Sequence, residues 1–339
     1  MKKTILALAL TTISLGAFAQ AGTLKLEGQA NELGDTVTIL TRTTFKNPAK
    51  VVAKNGKFST EVKLDKIEGV AIMWQGKTAN DRGQRFAVLG VPGEKAVLTT
   101  EGTHYYISGS KFYKESDALD RATENMQEAS QVTDYLLNYL KQNPKSEAPV
   151  RLLSALDYDG LVKVTDALSP EVRNGRFKSY IDMRVTSAKK QHDADEAAAK
   201  KQAAGIVAPD FTLNDLNGKP LSLSSLRGKY VLLDFWGSWC IWCIKGMPQM
   251  KEYYNKYKGK FEIVGVDCND TDAKWHEAVK KYELPWLHVY NPRDSKLLDD
   301  YGIQGFPTKI LIGPDGKIVK TIVGEDPAFY TFLDETFGK

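Results

Sequence analysis

The chain has 339 residues, with 46 Lys+Arg against 42 Asp+Glu, four histidines and three cysteines. Hydrophobic residues make up 42% and charged residues 26%, the balance of a folded globular protein and not of a disordered chain. A formal net charge of +4 is too small and too scattered for a nucleic-acid binder, and three cysteines cannot staple a small scaffold, so two or three domains must rest on buried apolar surface.

Lys2 and Lys3 precede an apolar stretch from Ile5 to Phe18, with small residues at Ala17 and Ala19. This is the plan of a secretory signal peptide over residues 1–19, since the apolar run is too short to span a bilayer comfortably. No cysteine stands directly after the expected cleavage site, which disfavours a lipoprotein. The mature chain is expected to begin near Gln20 and to work in an oxidising, extracytoplasmic space.

Residues 20–111 read as a small all-β antiparallel domain, a sandwich or open barrel of at least six short strands. Thr36–Leu40, Gly69–Trp74, Arg85–Val91 and Ala96–Thr100 are examples. Asn55-Gly56 predicts a two-residue hairpin joining Val51–Lys54 to Lys57–Val62, because a type I′ turn needs positive φ at both centres. His104 beside Tyr105 and Tyr106 reads as strand packing ahead of a ligand cluster. Residues 112–204 change to a helical period: Val132, Leu136, Leu137 and Leu140 form an apolar stripe, a second helix runs over Val150–Ala167, and Ser169-Pro170-Glu171 is a helix start. Lys189–Ala204 has almost no large apolar residue and reads as a solvated helix or spacer.

Residues 205–339 have the order β-α-β-α-β-β-α, with Tyr230–Trp236 and Phe261–Val266 as strands buried on both faces. Lys309–Ile312 and Ile318–Val323 flank Pro314-Asp315-Gly316 as an antiparallel hairpin. Trp239-Cys240-Ile241-Trp242-Cys243 follows the first of these strands at the start of a helix. Two cysteines three positions apart can close a small disulfide, and the unpaired N–H groups of the helix start favour a Cys240 thiolate. Cys243, one turn deeper, would resolve a mixed disulfide. Asp234, a lone carboxylate in an apolar strand, should have a raised pKa and could exchange the Cys243 proton. Pro307 opens a strand, where proline fits at an edge or as a cis residue.

These residues resemble the TlpA/ResA type of thiol:disulfide oxidoreductase, a thioredoxin-fold family exported by bacteria. The carriers are Ala208-Pro209-Asp210-Phe211, Leu226-Arg227-Gly228-Lys229, Asp234 through Cys240, Pro248 and Phe306-Pro307-Thr308. The resemblance implies Cys240 as nucleophile, Cys243 as resolving thiol, Asp234 as buried proton acceptor and Pro307 as a cis-proline. It also implies that substrate pairs with the backbone at Phe306 as an added strand. The long separation of Cys243 from Pro307 leaves room for the helix and strand that such domains insert. Residues 22–113, with Asn55-Gly56-Lys57-Phe58 and Val91-Pro92-Gly93-Glu94, are similar to an all-β domain of unknown function that precedes such domains in Gram-negative bacteria. Three departures stand out. Ile241-Trp242 lacks the usual proline or histidine between the cysteines, Gly246 stands where some relatives carry a functional glutamate, and Cys268 is a third thiol, read as buried and inert.

The expectation is therefore a periplasmic enzyme that reduces protein disulfides and draws electrons from a periplasmic or membrane reductase, with no cofactor, metal or nucleic acid. Trp239 and Trp242 would join Phe306 and Pro307 in binding substrate. The front regions leave room for a homodimer interface, although no heptad run requires one. The alternatives are a thiol peroxidase, which would need a Pro/Thr-rich loop that the cysteine motif lacks, and a partner-binding module with an incidental disulfide. A zinc site would need Cys268, His276 or His288 as further ligands, none at finger spacing.

Overall fold

A computed structural model describes residues 21–78, 81–101 and 104–338. The expected signal peptide, residues 1–19, lies outside the described residues. The chain divides into two compact units, one ending at Lys190 and one running from Gln191.

The first unit opens with eight strands, β1 (Gly22–Gln29), β2 (Leu33–Leu40), β3 (Ala49–Val52), β4 (Lys57–Leu64), β5 (Glu68–Gly76), β6 (Gln84–Gly90), β7 (Lys95–Glu101) and β8 (His104–Gly109). They form two four-stranded sheets, β4-β1-β7-β8 and β3-β2-β5-β6. Alternation places Leu24 and Leu26 of one sheet and Val70, Ile72 and Trp74 of the other in one core. All pairings are antiparallel except β1 with β7. The expected hairpin is corrected in one respect. Lys54 and Lys57 do exchange backbone hydrogen bonds around Asn55 and Gly56, both at positive φ. The flanking strands then part: β3 pairs with β2, and β4 pairs with all eight residues of β1. The longer ladder outweighs the local pairing that the turn alone would support.

Helices α1 (Lys111–Thr123), α2 (Ala129–Gln142), α3 (Tyr158–Ala167) and α4 (Pro170–Arg173) follow. Val132, Leu136 and Leu140 of α2 are buried in the same core, as the apolar stripe predicts. The second expected helix is broken. Residues Ala148–Ala155 form a 3-10 segment, and Asp157 then caps α3 by accepting from the Gly160 amide. Helix α5 (Lys178–Lys201) is polar, with Ile181 its one buried residue, and its last turns belong to the second unit.

The second unit holds a short hairpin, β9 (Thr212–Asn214) and β10 (Pro220–Ser222), and a central sheet. That sheet contains β11 (Tyr230–Trp236), β12 (Phe261–Cys268), β13 (Leu287–Asn291), β14 (Thr308–Ile312) and β15 (Ile318–Val323), in the order β13-β12-β11-β14-β15. β11, β12 and β13 run parallel, and β14 and β15 antiparallel to their neighbours. Helices α6 (Ile241–Lys256), α7 (Asp272–Lys281), α8 (Leu297–Asp300) and α9 (Pro327–Phe337) complete it. Leu232, Trp236, Met247, Leu311 and Phe329 share one core, and Leu233, Phe235, Ile310 and Tyr301 a second, so β11 is buried on both faces. This is the α/β layout expected for residues 205–339, with the β9–β10 hairpin, β13 and α8 added to the order read from pattern.

Candidate active site

Strand β11 ends at Trp236, and Gly237-Ser238-Trp239 turns the chain into α6 with Cys240 as its N-cap. Cys240 and Cys243 form a disulfide with Cα atoms 5.3 Å apart. The Cys243 amide donates to the Cys240 sulfur at 3.2 Å, and the Ile244 amide donates to the Cys240 carbonyl. A sulfur in this position replaces the usual capping oxygen, so a negative charge on it meets an unpaired N–H and the positive end of the helix dipole.

Gly237 makes the turn possible. A Cβ there would lie 2.4 Å from the Trp239 indole nitrogen and 2.8 Å from the Cys268 carbonyl, the group to which that nitrogen donates. Trp239 is thereby fixed edge-on to Phe306, with ring centroids 5.3 Å apart. Both cysteines are buried, whereas Trp239, Ile241 and Trp242 are 52%, 62% and 59% exposed. The Lys245 ammonium sits over the Trp242 ring. The Phe306–Pro307 peptide is cis, and exposed Val323 lies beside Gly305, one residue before Phe306. The rim around the disulfide is therefore largely apolar.

Beneath α6, Asp234 of β11 stands directly opposite Lys309 of β14. Their relative exposures are 3% and 1%. Lys309 Nζ donates to Glu325 Oε1 at 2.5 Å, and Glu325, in the turn between β15 and α9, is 18% exposed. The Glu325 carboxylate occupies a gap in α6: a Cβ on Gly246 would lie 2.1 Å from its Oε1. Asp234 Oδ1 has no hydrogen-bond partner. Burial pushes its carboxyl up to about 6; Lys309 pulls it down and Glu325 pushes it up again.

A second carboxylate anchors the turn. Asp270 accepts from the Ser238 amide at 2.6 Å and from its hydroxyl at 2.7 Å. Asp267, at the end of β12, is pushed up to about 9, chiefly by burial and then by the neighbouring Asp270, so it is protonated at neutral pH. Cys268 is fully buried on the opposite sheet face, and burial raises its thiol far above its usual range. Among the described residues no group of three or more His, Cys, Asp or Glu side chains could hold a metal. No described helix is long and apolar enough to cross a membrane.

The structure thus brings Cys240, Cys243, Trp239, Trp242, Phe306 and Pro307 to one end of the sheet, with Asp234 on the face that α6 covers. Sequence reasoning missed Lys309, Glu325 and Asp270. Lys309 carries the signal that singled out Asp234, a lone charge in an apolar strand. Residues 228–318 match a family described as thioredoxin-like. The chain is 42% identical over 130 residues to the thiol-disulfide oxidoreductase ResA of Bacillus thuringiensis (strain Al Hakam), covering 38% of this chain and 75% of the relative. It is 38% identical over 134 residues to ResA of Bacillus subtilis (strain 168), covering 39% and 74%. A crystal structure of the thioredoxin domain of a Bacteroides vulgatus thiol-disulfide oxidoreductase is 37% identical, with TM-score 0.38, covering 40% of this chain and 98% of that one.

Proposed function

The chain belongs to the TlpA/ResA-like thiol:disulfide oxidoreductases of thioredoxin fold, and from that membership we propose that it reduces disulfides of exported proteins through the Cys240–Cys243 dithiol. The observation that carries this reading is the Cys240 sulfur at the N-cap of α6, accepting the Cys243 amide. In the reduced form that position stabilises the thiolate, the species that attacks.

The exchange runs in two displacements. The Cys240 thiolate attacks a substrate disulfide R–S–S–R′, forming Cys240–S–S–R and releasing R′–S⁻, which takes a proton from solvent. Cys243 then passes its thiol proton to the Asp234 carboxylate and attacks the Cys240 sulfur. The Cys240–Cys243 bond forms, the Cys240–S–R bond breaks, and R–S⁻ leaves and is protonated. Two electrons move from the dithiol to the substrate, and a reductase in the periplasm or its membrane returns them by the reverse exchange. The half-exposed indoles of Trp239 and Trp242, with Phe306 and Pro307, give a disulfide-bearing polypeptide an apolar seat beside a backbone it can pair with. Residues 1–19, as a cleaved leader, would deliver the enzyme to the periplasm.

The reduction potential of the pair tests the direction. Trp239 and Trp242 flank the sulfurs, so their fluorescence in glutathione or dithiothreitol buffers should follow the transition. A midpoint near or below about −250 mV is expected of a reductant. A midpoint of about −120 to −180 mV would make the protein an oxidant or isomerase instead. Cys240→Ser should abolish disulfide exchange, while Cys243→Ser should accumulate mixed disulfides visible by mass spectrometry. Normal turnover by the Cys240→Ser variant would sink the mechanism.

A further inference from the structure

Lys309 is a cation in the middle of a sheet, buried to 1% exposure and opposite a buried carboxyl. Left with Asp234 alone, it would draw that carboxyl into a tight ion pair and leave a weak base. The structure shows Lys309 turned instead to Glu325, whose carboxylate reaches in from the turn after β15. Access for it depends on one residue of α6, because any side chain at Gly246 would overlap the Glu325 carboxylate. A glycine at this position of a helix is otherwise less favourable than alanine. The Tyr330 hydroxyl of α9, 3.5 Å from the Gly246 carbonyl, closes the same gap.

We propose that Glu325 is a positioning residue for disulfide exchange: seated in the gap at Gly246, it holds Lys309 away from Asp234, keeping Asp234 basic enough to accept the Cys243 proton. This rests on the reading that Asp234 serves Cys243. Glu325 is also the partly exposed member of the three and so connects the buried pair to solvent. The groups facing Asp234 are few. They are Lys309 from β14, Glu325, and Tyr330 from α9, under the face that α6 covers with Cys243, while Cys268 of β12 acts only from the other face of the sheet. Beyond Gly265 stands His288 of β13, which burial keeps neutral above about pH 4. Tyr330 and Cys268 are both pushed well above their usual ranges and remain neutral, so Lys309 and Glu325 are the charges that set Asp234.

The test follows the resolving step in the full chain. Reduced protein is mixed with oxidised glutathione, quenched in acid at intervals, and the Cys240–glutathione adduct is counted by mass spectrometry from pH 4.5 to 8.5. Glu325→Gln should move the midpoint of adduct decay to lower pH by about one unit and slow decay several-fold at pH 7. Lys309→Met should move the midpoint to higher pH. A purely structural role would not shift the two midpoints in opposite directions. Shifts in the same direction, or no shift in Glu325→Gln, overturn the proposal. Asp234→Asn separates the layers. If it resolves the adduct as fast as the parent, the Asp234 reading falls and this proposal with it. If it is slow while the Glu325→Gln midpoint stays in place, the proposal alone falls.

Discussion

Asp234 carries a stability signature as well as a chemical one. Its carboxyl titrates near 6 in the folded protein against 3.8 in the unfolded chain, so the folded state binds the proton more tightly. Stability from this group is fully present below the unfolded value and is lost as pH rises through the folded one. The difference corresponds to about 3 kcal/mol, taken as an order of magnitude. Asp234→Asn stays neutral at every pH. It should therefore exceed the parent in stability by up to about 3 kcal/mol at pH 8 and match it near pH 3.5. Urea unfolding of the oxidised proteins at the two pH values checks this. Equal stability at pH 8 would mean that the buried carboxylate is not held at an energetic disadvantage, which removes the physical basis for its basicity.

At the scale of elements, α6 makes an unusual bargain at Gly246. An interior Gly→Ala change in a helix normally stabilises by about 1 kcal/mol. Here the new methyl would sit 2.1 Å from Glu325 Oε1 and 2.3 Å from its carboxyl carbon, and that carboxylate is pinned by Lys309. Gly246→Ala should thus destabilise by roughly 1–3 kcal/mol, because the buried cation loses its partner. In a Glu325→Ala background the same change should turn stabilising, and a double-mutant cycle by urea unfolding reads that reversal of sign. Additive effects would show that the helix and the turn after β15 are not coupled. This coupling is also where the sequence ceased to be legible. Asp234 stood out because burial of a lone carboxylate can be inferred from its own strand. Glu325 could not, since its partners Lys309 and Gly246 lie 16 and 79 positions away and only the folded register brings them together. Strand β13 escaped the pattern for a related reason. Leu287–Asn291 is five residues long and carries His288 and Asn291, polar side chains that the sheet buries. The cysteine motif and the strand preceding it needed no such information, because helix start, spacing and apolar run are all local.

At the scale of the whole molecule, the second unit begins earlier than the composition shift at Gly205. Residues from Gln191 to Gln202, the end of α5 and the residue after it, are held by the same unit as the disulfide. The Gln304 side chain meets Gln191 and donates to the Ala194 carbonyl at 2.6 Å; Lys201 donates to the Asp299 carbonyl, and Gln202 to those of Tyr301 and Gly302. Gly302, at φ 63°, lets the two backbones approach, since a Cβ there would lie 2.9 Å from the Ala198 Cα. These bonds act on the segment leading into Phe306 and Pro307, so they brace one wall of the proposed substrate seat. A fragment of residues 191–339 should therefore be more stable than one of residues 205–339, by on the order of 1–3 kcal/mol given that several of the bonds are exposed. Urea midpoints of the two fragments measure the difference, and identical midpoints would reduce the end of α5 to a tether. Both fragments should keep the reduction potential of the full chain, because Cys240, Asp234, Lys309 and Glu325 all lie after residue 205. Reduction of oxidised glutathione should likewise survive removal of the first unit. If protein disulfides are then reduced as well as by the full chain, the eight-stranded unit has no part in choosing substrates. If they are reduced more slowly, that unit supplies recognition that the apolar rim around the disulfide does not.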